Sequence, residues 1–236
     1  MNFFGETFFE EKGFPEPFPK TFSDKRIFMN NFFRWFGLPG SFVLTVLMSL
    51  LALVLALCFR TKDRWWCLAA MIMSSLGDIV LMNFRGIGNK MPVPYFFVGA
   101  GFFIIAHFLY TGGYLTLIRE HGFKYINPGF WTAAGVILLA GLIVTVLSLR
   151  DKNASIAMYV LCLSYMCIIG LACATIFSYS WSIRSWRSLA ALGALSFFIS
   201  DYIIGIDRLM GYTTPALQDA IWWFYPIGQI FIIICG

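Results

Sequence analysis

Charge is scarce in this sequence. Lys, Arg, Asp and Glu supply 12% of its 236 residues, against about 25% in soluble domains. So few charges cannot wet a globular surface, and an ordinary soluble domain is excluded. Histidine is scarcer: only His107 and His121 are present, too few for a three-histidine zinc centre. No G-x-S-x-G elbow occurs, which removes the usual serine-hydrolase arrangement. No long apolar run contains a lysine, which removes a retinal-type Schiff base. No C-x-x-C pair occurs, and Cys58, Cys67, Cys162, Cys167, Cys173 and Cys235 lie in or beside apolar runs. They read as reduced, packed thiols. No basic run with interleaved aromatics occurs in a polar region, so nucleic acid is not an expected partner. No signal peptide is expected, because the first 38 residues hold no continuous apolar core.

What is abundant is apolar and aromatic: 59% of residues are hydrophobic, with 26 Phe, 10 Tyr and 8 Trp. Such a chain needs lipid as its solvent. In lipid every backbone polar group must pair internally, which leaves helices or a closed barrel. The apolar runs are unbroken rather than alternating, and that selects helices. A ruler of about 20 apolar residues per span gives seven spans, at 41–59, 65–84, 94–118, 129–149, 154–178, 187–209 and 217–236. The expected fold is an all-α membrane protein: a bundle of about seven transmembrane helices over residues 39–236, preceded by an interfacial segment. Charged and turn-forming residues separate the spans: Arg60, Lys62, Asp63 and Arg64 close the first, and Arg85 to Pro94 close the second. Thr214 and Pro215 start the last as N-cap and first-turn proline. Residues 1–38 form a separate polar and aromatic segment. Within it, Lys25, Arg26 and Arg34 interleave with Phe22, Phe28, Phe32 and Trp35, the pattern of a helix lying in the membrane interface. The net charge of +5 suits anionic headgroups. Lys and Arg divide too evenly between the two sides to orient the bundle, and no internal repeat is found.

Ionisable residues inside spans are costly and mark function. Asp78 lies in the second span, His107 in the third and Asp201 in the sixth. Asp207, Arg208 and Asp219 fall near span ends and read as interfacial. At ~1.5 Å rise per residue, measured from the face where the second span ends, Asp78 lies ~9 Å deep and Asp201 ~12 Å. Tyr225 lies ~12 Å, Tyr165 ~17 Å, Gln229 ~18 Å and His107 ~20 Å deep. Polar groups from five helices thus share a band of ~11 Å, as one pocket opening towards that face would require. Small residues flank them: Ser74, Ser75 and Gly77 beside Asp78, and Ser196, Ser200 and Gly205 beside Asp201. Such residues let helices approach closely. Tyr110 and Thr111 share a face with His107.

These residues also carry a resemblance. Ser75-Leu76-Gly77-Asp78 with Leu81, then Phe96-x-x-Gly99 with Phe103-x-x-Ala106-His107-x-x-Tyr110, resemble the YhhN family of lysoplasmalogenase-like integral membrane proteins. Ser200-Asp201 with Ile203, Ile204 and Gly205, and Tyr225-x-x-x-Gln229, continue the likeness in order across about residues 65–236. The resemblance implies a membrane-embedded hydrolase that cleaves the vinyl-ether bond of lysoplasmalogens, giving a fatty aldehyde and glycerophospho-ethanolamine or -choline. The family pattern also has eight spans and a Lys-Pro motif near the start of the second. This sequence reads as seven spans, its Pro19-Lys20 pair is reversed, and its polar N-terminal stretch stands where the first span would be.

That chemistry needs a proton for the β-carbon and an anion beside the resulting oxocarbenium ion, the logic of a glycosidase carboxylate pair. Asp78 and Asp201 are expected to divide these roles, with His107 orienting a carboxylate or relaying the proton. Tyr110, Tyr165, Tyr225, Gln229, Ser75 and Ser200 are the expected substrate-binding residues. No cofactor and no metal are expected, although an Asp/His/Asp set could hold a metal. The expected partners are a lysophospholipid substrate and membrane lipids. The competing reading is a proton-coupled transporter or a small-molecule or lipid-binding membrane protein, which would also need intramembrane carboxylates. The absence of matched broken helices tells against transport.

Overall fold

The computed structural model describes residues 40–151, 156–210 and 214–236; the N-terminal segment 1–38 lies outside these. Among the described residues there are seven α-helices and no strand. They are α1 (Gly40–Phe59), α2 (Lys62–Leu81), α3 (Tyr95–Glu120), α4 (Pro128–Asp151), α5 (Ile156–Ser182), α6 (Ala190–Met210) and α7 (Pro215–Cys235). Each lies within a few residues of an expected span. By length and composition, five segments are apolar enough to cross a membrane: Phe42–Phe59, Lys62–Leu81, Tyr95–Glu120, Tyr159–Ser182 and Trp186–Asp207. The apolar stretches Pro128–Val144 of α4 and Asp219–Cys235 of α7 are shorter. The protein is therefore a multi-pass α-helical membrane protein, with five helices meeting the length that the expected seven spans assume. The chain divides into two units, Met1–Val43 and Leu44–Gly236. Every group discussed below belongs to the second.

Local sequence explains the breaks. Pro215 occupies the first turn of α7, and the Thr214 hydroxyl accepts a hydrogen bond from the Leu217 amide at 3.3 Å, satisfying a donor that the helix itself cannot. Between α2 and α3, Asn83 and Arg85 take left-handed backbone angles (φ 48° and 52°). The Asn83 side chain holds that turn by accepting from the Gly88 amide at 2.7 Å. Pro226 interrupts the backbone ladder of α7 directly after Tyr225.

The packing is inside-out relative to a soluble bundle. Leu47, Val54 and Leu57 of α1 and Leu138, Leu139 and Leu142 of α4 are exposed, an outer face for lipid. The interior holds Met71, Tyr110, Ile118, Ile169, Ile176, Phe197 and Ile232. Two glycine contacts set the helix spacing around the polar residues. A Cβ on Gly77 of α2 would lie 2.8 Å from the Phe103 ring and 3.2 Å from the Gly99 carbonyl of α3. A Cβ on Gly228 of α7 would lie 2.7 Å from the Phe197 amide and 2.9 Å from the Gly193 carbonyl of α6. Both pairs act as small-residue contacts where backbones nearly touch.

One expectation is corrected. Asp63 and Arg64 read as loop charges closing the first span, yet both are buried in the first turn of α2, at 2% and 6% exposure. The reason is the last turn of α7, whose carbonyls lack helical donors and form the negative end of the helix dipole. Arg64 donates to the carbonyls of Ile233 and, at 3.0 Å, Ile234. Arg187 donates to those of Cys235 and Gly236 at 3.0 and 2.6 Å. The Tyr114 hydroxyl donates to the Ile232 carbonyl at 2.9 Å. The Asp63 carboxylate balances the two guanidiniums from 3.7 and 3.9 Å. These charges anchor the helix that carries Tyr225 and Gln229.

Candidate active site

The buried polar residues form three hydrogen-bonded groups around a shared aromatic layer. In the first, Asp201 of α6 accepts from the Tyr165 hydroxyl of α5 at 2.5 Å, and His107 Nε2 of α3 lies 3.4 Å from the same carboxylate oxygen. His107 Nε2 is also 3.1 Å from the Tyr165 hydroxyl, closing a triangle. In the second, one oxygen of Asp78 accepts from the Thr45 hydroxyl of α1 at 2.7 Å and from the Tyr225 hydroxyl of α7 at 2.8 Å. In the third, the Tyr110 hydroxyl of α3 donates to Gln229 Oε1 of α7, and Gln229 Nε2 donates to the Ser74 hydroxyl of α2 at 3.4 Å. Asp78 and Asp201 are 7% and 8% exposed; a buried carboxyl requires such partners.

Phe197 of α6 connects the groups. Its ring centroid lies 5.0 Å from that of His107, 5.4 Å from Tyr225 and 6.5 Å from Tyr110. Phe103 of α3 adds edge contacts to Phe197 and Tyr225 at 6.5 and 6.1 Å. The two carboxyl groups therefore belong to separate hydrogen-bonded groups, whose aromatic members His107 and Tyr225 both pack against Phe197.

The Asp201 network borders a pocket. A pocket open to its surroundings, with about 620 Å³ of empty space counted inside it and at its mouth, is lined by residues of α2 to α6, including Leu81, Phe96, Ala100, Leu161, Met166 and Gly205. Asp201 and Tyr165 line it too, giving an otherwise apolar pocket a polar patch. Asp78 is not among its lining residues. Among the described residues no group of three or more His, Cys, Asp or Glu side chains could hold a metal ion.

The expected site residues thus separate. Asp201 and Tyr165 line the pocket, with His107 bonded to them from outside its lining; Asp78 meets Tyr225, and Tyr110 meets Gln229. Ser200 and Ser75 lie outside these groups. The Ser200 hydroxyl donates to the Phe197 carbonyl of its own helix at 2.7 Å, and the Ser75 hydroxyl is 2.6 Å from that of Ser49 on the α1–α2 contact. Sequence reasoning missed Thr45 and Phe197. Thr45 sits in a span without charge, and its spacing of four from Ser49 is the one signal it offers. Phe197 is one of 26 phenylalanines, and nothing in the sequence marks it.

A buried cluster of a carboxyl, an imidazole and a phenol beside a mainly apolar pocket marks this multi-pass membrane protein. The chain belongs to the YhhN family, whose model matches residues 40–235, and the motif resemblance is borne out. It is 28% identical over 182 residues to a lysoplasmalogenase of Mycobacterium tuberculosis and, to the same extent, to one of Mycobacterium bovis. The match covers 72% of this chain and 60% of each relative. No solved structure matches it.

Proposed function

We propose that this protein is a lysoplasmalogenase-like hydrolase that cleaves the vinyl-ether bond of a lysophospholipid within the membrane, the cell membrane in a bacterium. The observation that carries the reading is the Asp201 carboxyl, held by Tyr165 and His107 and lining an apolar pocket. The family and the similarity to lysoplasmalogenases support the substrate class.

In this reading Asp201 starts as the acid. It transfers a proton to the β-carbon of the alkenyl chain, and the C=C π-electrons form the new C–H bond. The α-carbon and ether oxygen then share the positive charge of an oxocarbenium ion, beside the Asp201 carboxylate. Water adds to the α-carbon and returns a proton to Asp201, leaving a hemiacetal. Cleavage of its C–O bond moves the hydroxyl proton to the departing glycerol oxygen and yields a fatty aldehyde and glycerophospho-ethanolamine or -choline. One carboxyl thus serves as acid and then as base. Tyr165 and His107 keep Asp201 oriented and hold the attacking water. Asp78, accepting two hydroxyl hydrogen bonds, acts from outside the pocket lining as the anion favouring the cationic intermediate. Tyr225, Tyr110 and Gln229 hold that second carboxyl and α7 in register.

The test is direct. Purified protein is incubated with alkenyl and acyl lysophospholipids of matched headgroup, and aldehyde and fatty acid are measured. Aldehyde from the alkenyl substrate alone is expected. Fatty acid release would indicate a lysophospholipase, and no product from either would leave a binding or transport protein.

A further inference from the structure

Glycine inside a helix is destabilising relative to alanine, so a helical glycine is informative where packing explains it and more so where packing does not. Gly77, Gly99, Gly193 and Gly228 are explained, because a Cβ on any of them would come within 3.0 Å of a neighbouring helix. Gly205 of α6 is different. A Cβ there would meet no atom of the described residues within 4 Å, yet Gly205 lines the pocket. It lies four residues after Asp201, on the same face of the helix, about 6 Å further along the axis. What the missing side chain preserves, among the described residues, is open space one turn from the Asp201 carboxyl.

We propose that Gly205 is the specificity-determining position for the lipid chain: its bare face gives an unbranched hydrocarbon chain room to run past Asp201, so the pocket takes a single-chain lipid. The lining supports this occupant. Leu81, Phe96, Ala100, Leu161 and Met166 offer no charge to a second polar group, the Tyr202 hydroxyl donates to the Ala140 carbonyl at 3.2 Å, and the carboxyl and phenol at Asp201 and Tyr165 suit the polar atom where the chain joins its headgroup. This inference rests on the proposed hydrolysis for its substrate, so its test needs a readout that does not depend on cleavage.

Two variants are compared, Gly205→Leu and Gly135→Leu. Gly135 of α4 also meets open space among the described residues but does not line the pocket, so it controls for the added bulk. The first measurement is photo-crosslinking by a saturated alkyl-ether lysophospholipid with a diazirine on its chain, which can bind but has no vinyl-ether bond to cleave. Wild type and Gly135→Leu should label peptides of α5 and α6 around residues 161–166 and 202–205, with competition by the unlabelled lipid. Gly205→Leu should lose that labelling. The second is turnover: Gly205→Leu should lower kcat/KM for long-chain alkenyl substrate about 100-fold, the scale on which apolar pockets discriminate size, while a short-chain analogue is cleaved at close to the wild-type rate. Unchanged labelling of α5 and α6 in Gly205→Leu, or equal losses on long and short chains, would overturn the proposal. Labelling lost as expected in a protein that cleaves no vinyl ether would support the chain site and remove the hydrolase reading.

Discussion

Asp78 and Asp201 look alike in sequence: each is a lone acid in an apolar span, flanked by serine and glycine. In the folded bundle their surroundings differ. Asp78 is enclosed by Thr45 and Tyr225, and both hydroxyls donate to the same oxygen. Asp201 is held from one side by Tyr165 and His107 and faces the pocket on another. Burial alone therefore does not separate the two carboxyls, which differ by one percentage point of exposure. What distinguishes them is that Asp201 lines the pocket and Asp78 does not.

The largest expected effect tests that distinction. Asp201→Asn removes the exchangeable proton but keeps a carbonyl to accept from Tyr165, so the protein should fold and lose aldehyde release by about 1,000-fold, within the range for a general acid–base group. Asp78→Asn keeps an oxygen able to accept from both Thr45 and Tyr225 and should lose only about tenfold, roughly 1.4 kcal/mol of transition-state stabilisation. Single-turnover aldehyde assays on both variants, with matched thermal unfolding, provide the check. Equal losses would place both carboxyls in contact with substrate and restore a symmetric division of labour.

The phenols give the next contrast. Tyr165→Phe removes the hydroxyl that orients Asp201. Hydrogen bonds to charged groups contribute about 1.5–3 kcal/mol, so turnover should fall about 10- to 100-fold. Tyr225→Phe leaves Asp78 its bond from Thr45 and acts on turnover only through that carboxylate, so it should cost less than the roughly tenfold expected of Asp78→Asn. A larger loss in Tyr225→Phe than in Tyr165→Phe, measured as kcat, would reverse the assignment of the reacting side.

The helices were legible in the sequence because apolar runs of span length admit few alternatives. Asp78, His107 and Asp201 were legible because charge in such runs is rare. Their division into two networks was not, because it depends on rotations about helix axes that depth along the axis cannot supply. Thr45 illustrates this: a threonine in an apolar run is unremarkable until α1 packs with its hydroxyl 2.7 Å from Asp78. Arg64 illustrates the converse. Beside Arg60 and Lys62 it reads as a solvated loop charge, and only the arrival of the last turn of α7, 169 residues later, makes it a buried donor.

Ser200 offers the smallest effect and the sharpest control on adjacency. It precedes Asp201 in the sequence and belongs to the motif that carries the family resemblance, so a reading from sequence alone places it in the site. Its hydroxyl instead donates to the Phe197 carbonyl one turn back, a bond that serines in membrane helices make to satisfy themselves locally. Ser200→Ala removes the hydroxyl and leaves that carbonyl with its helical partner, so turnover should stay within about twofold of wild type and unfolding within about 0.5 kcal/mol. A loss of tenfold or more, with Phe197 still packed on His107, would mean that the hydroxyl rotates towards substrate during turnover, and the site would then extend along α6 beyond the face that Asp201 and Gly205 share.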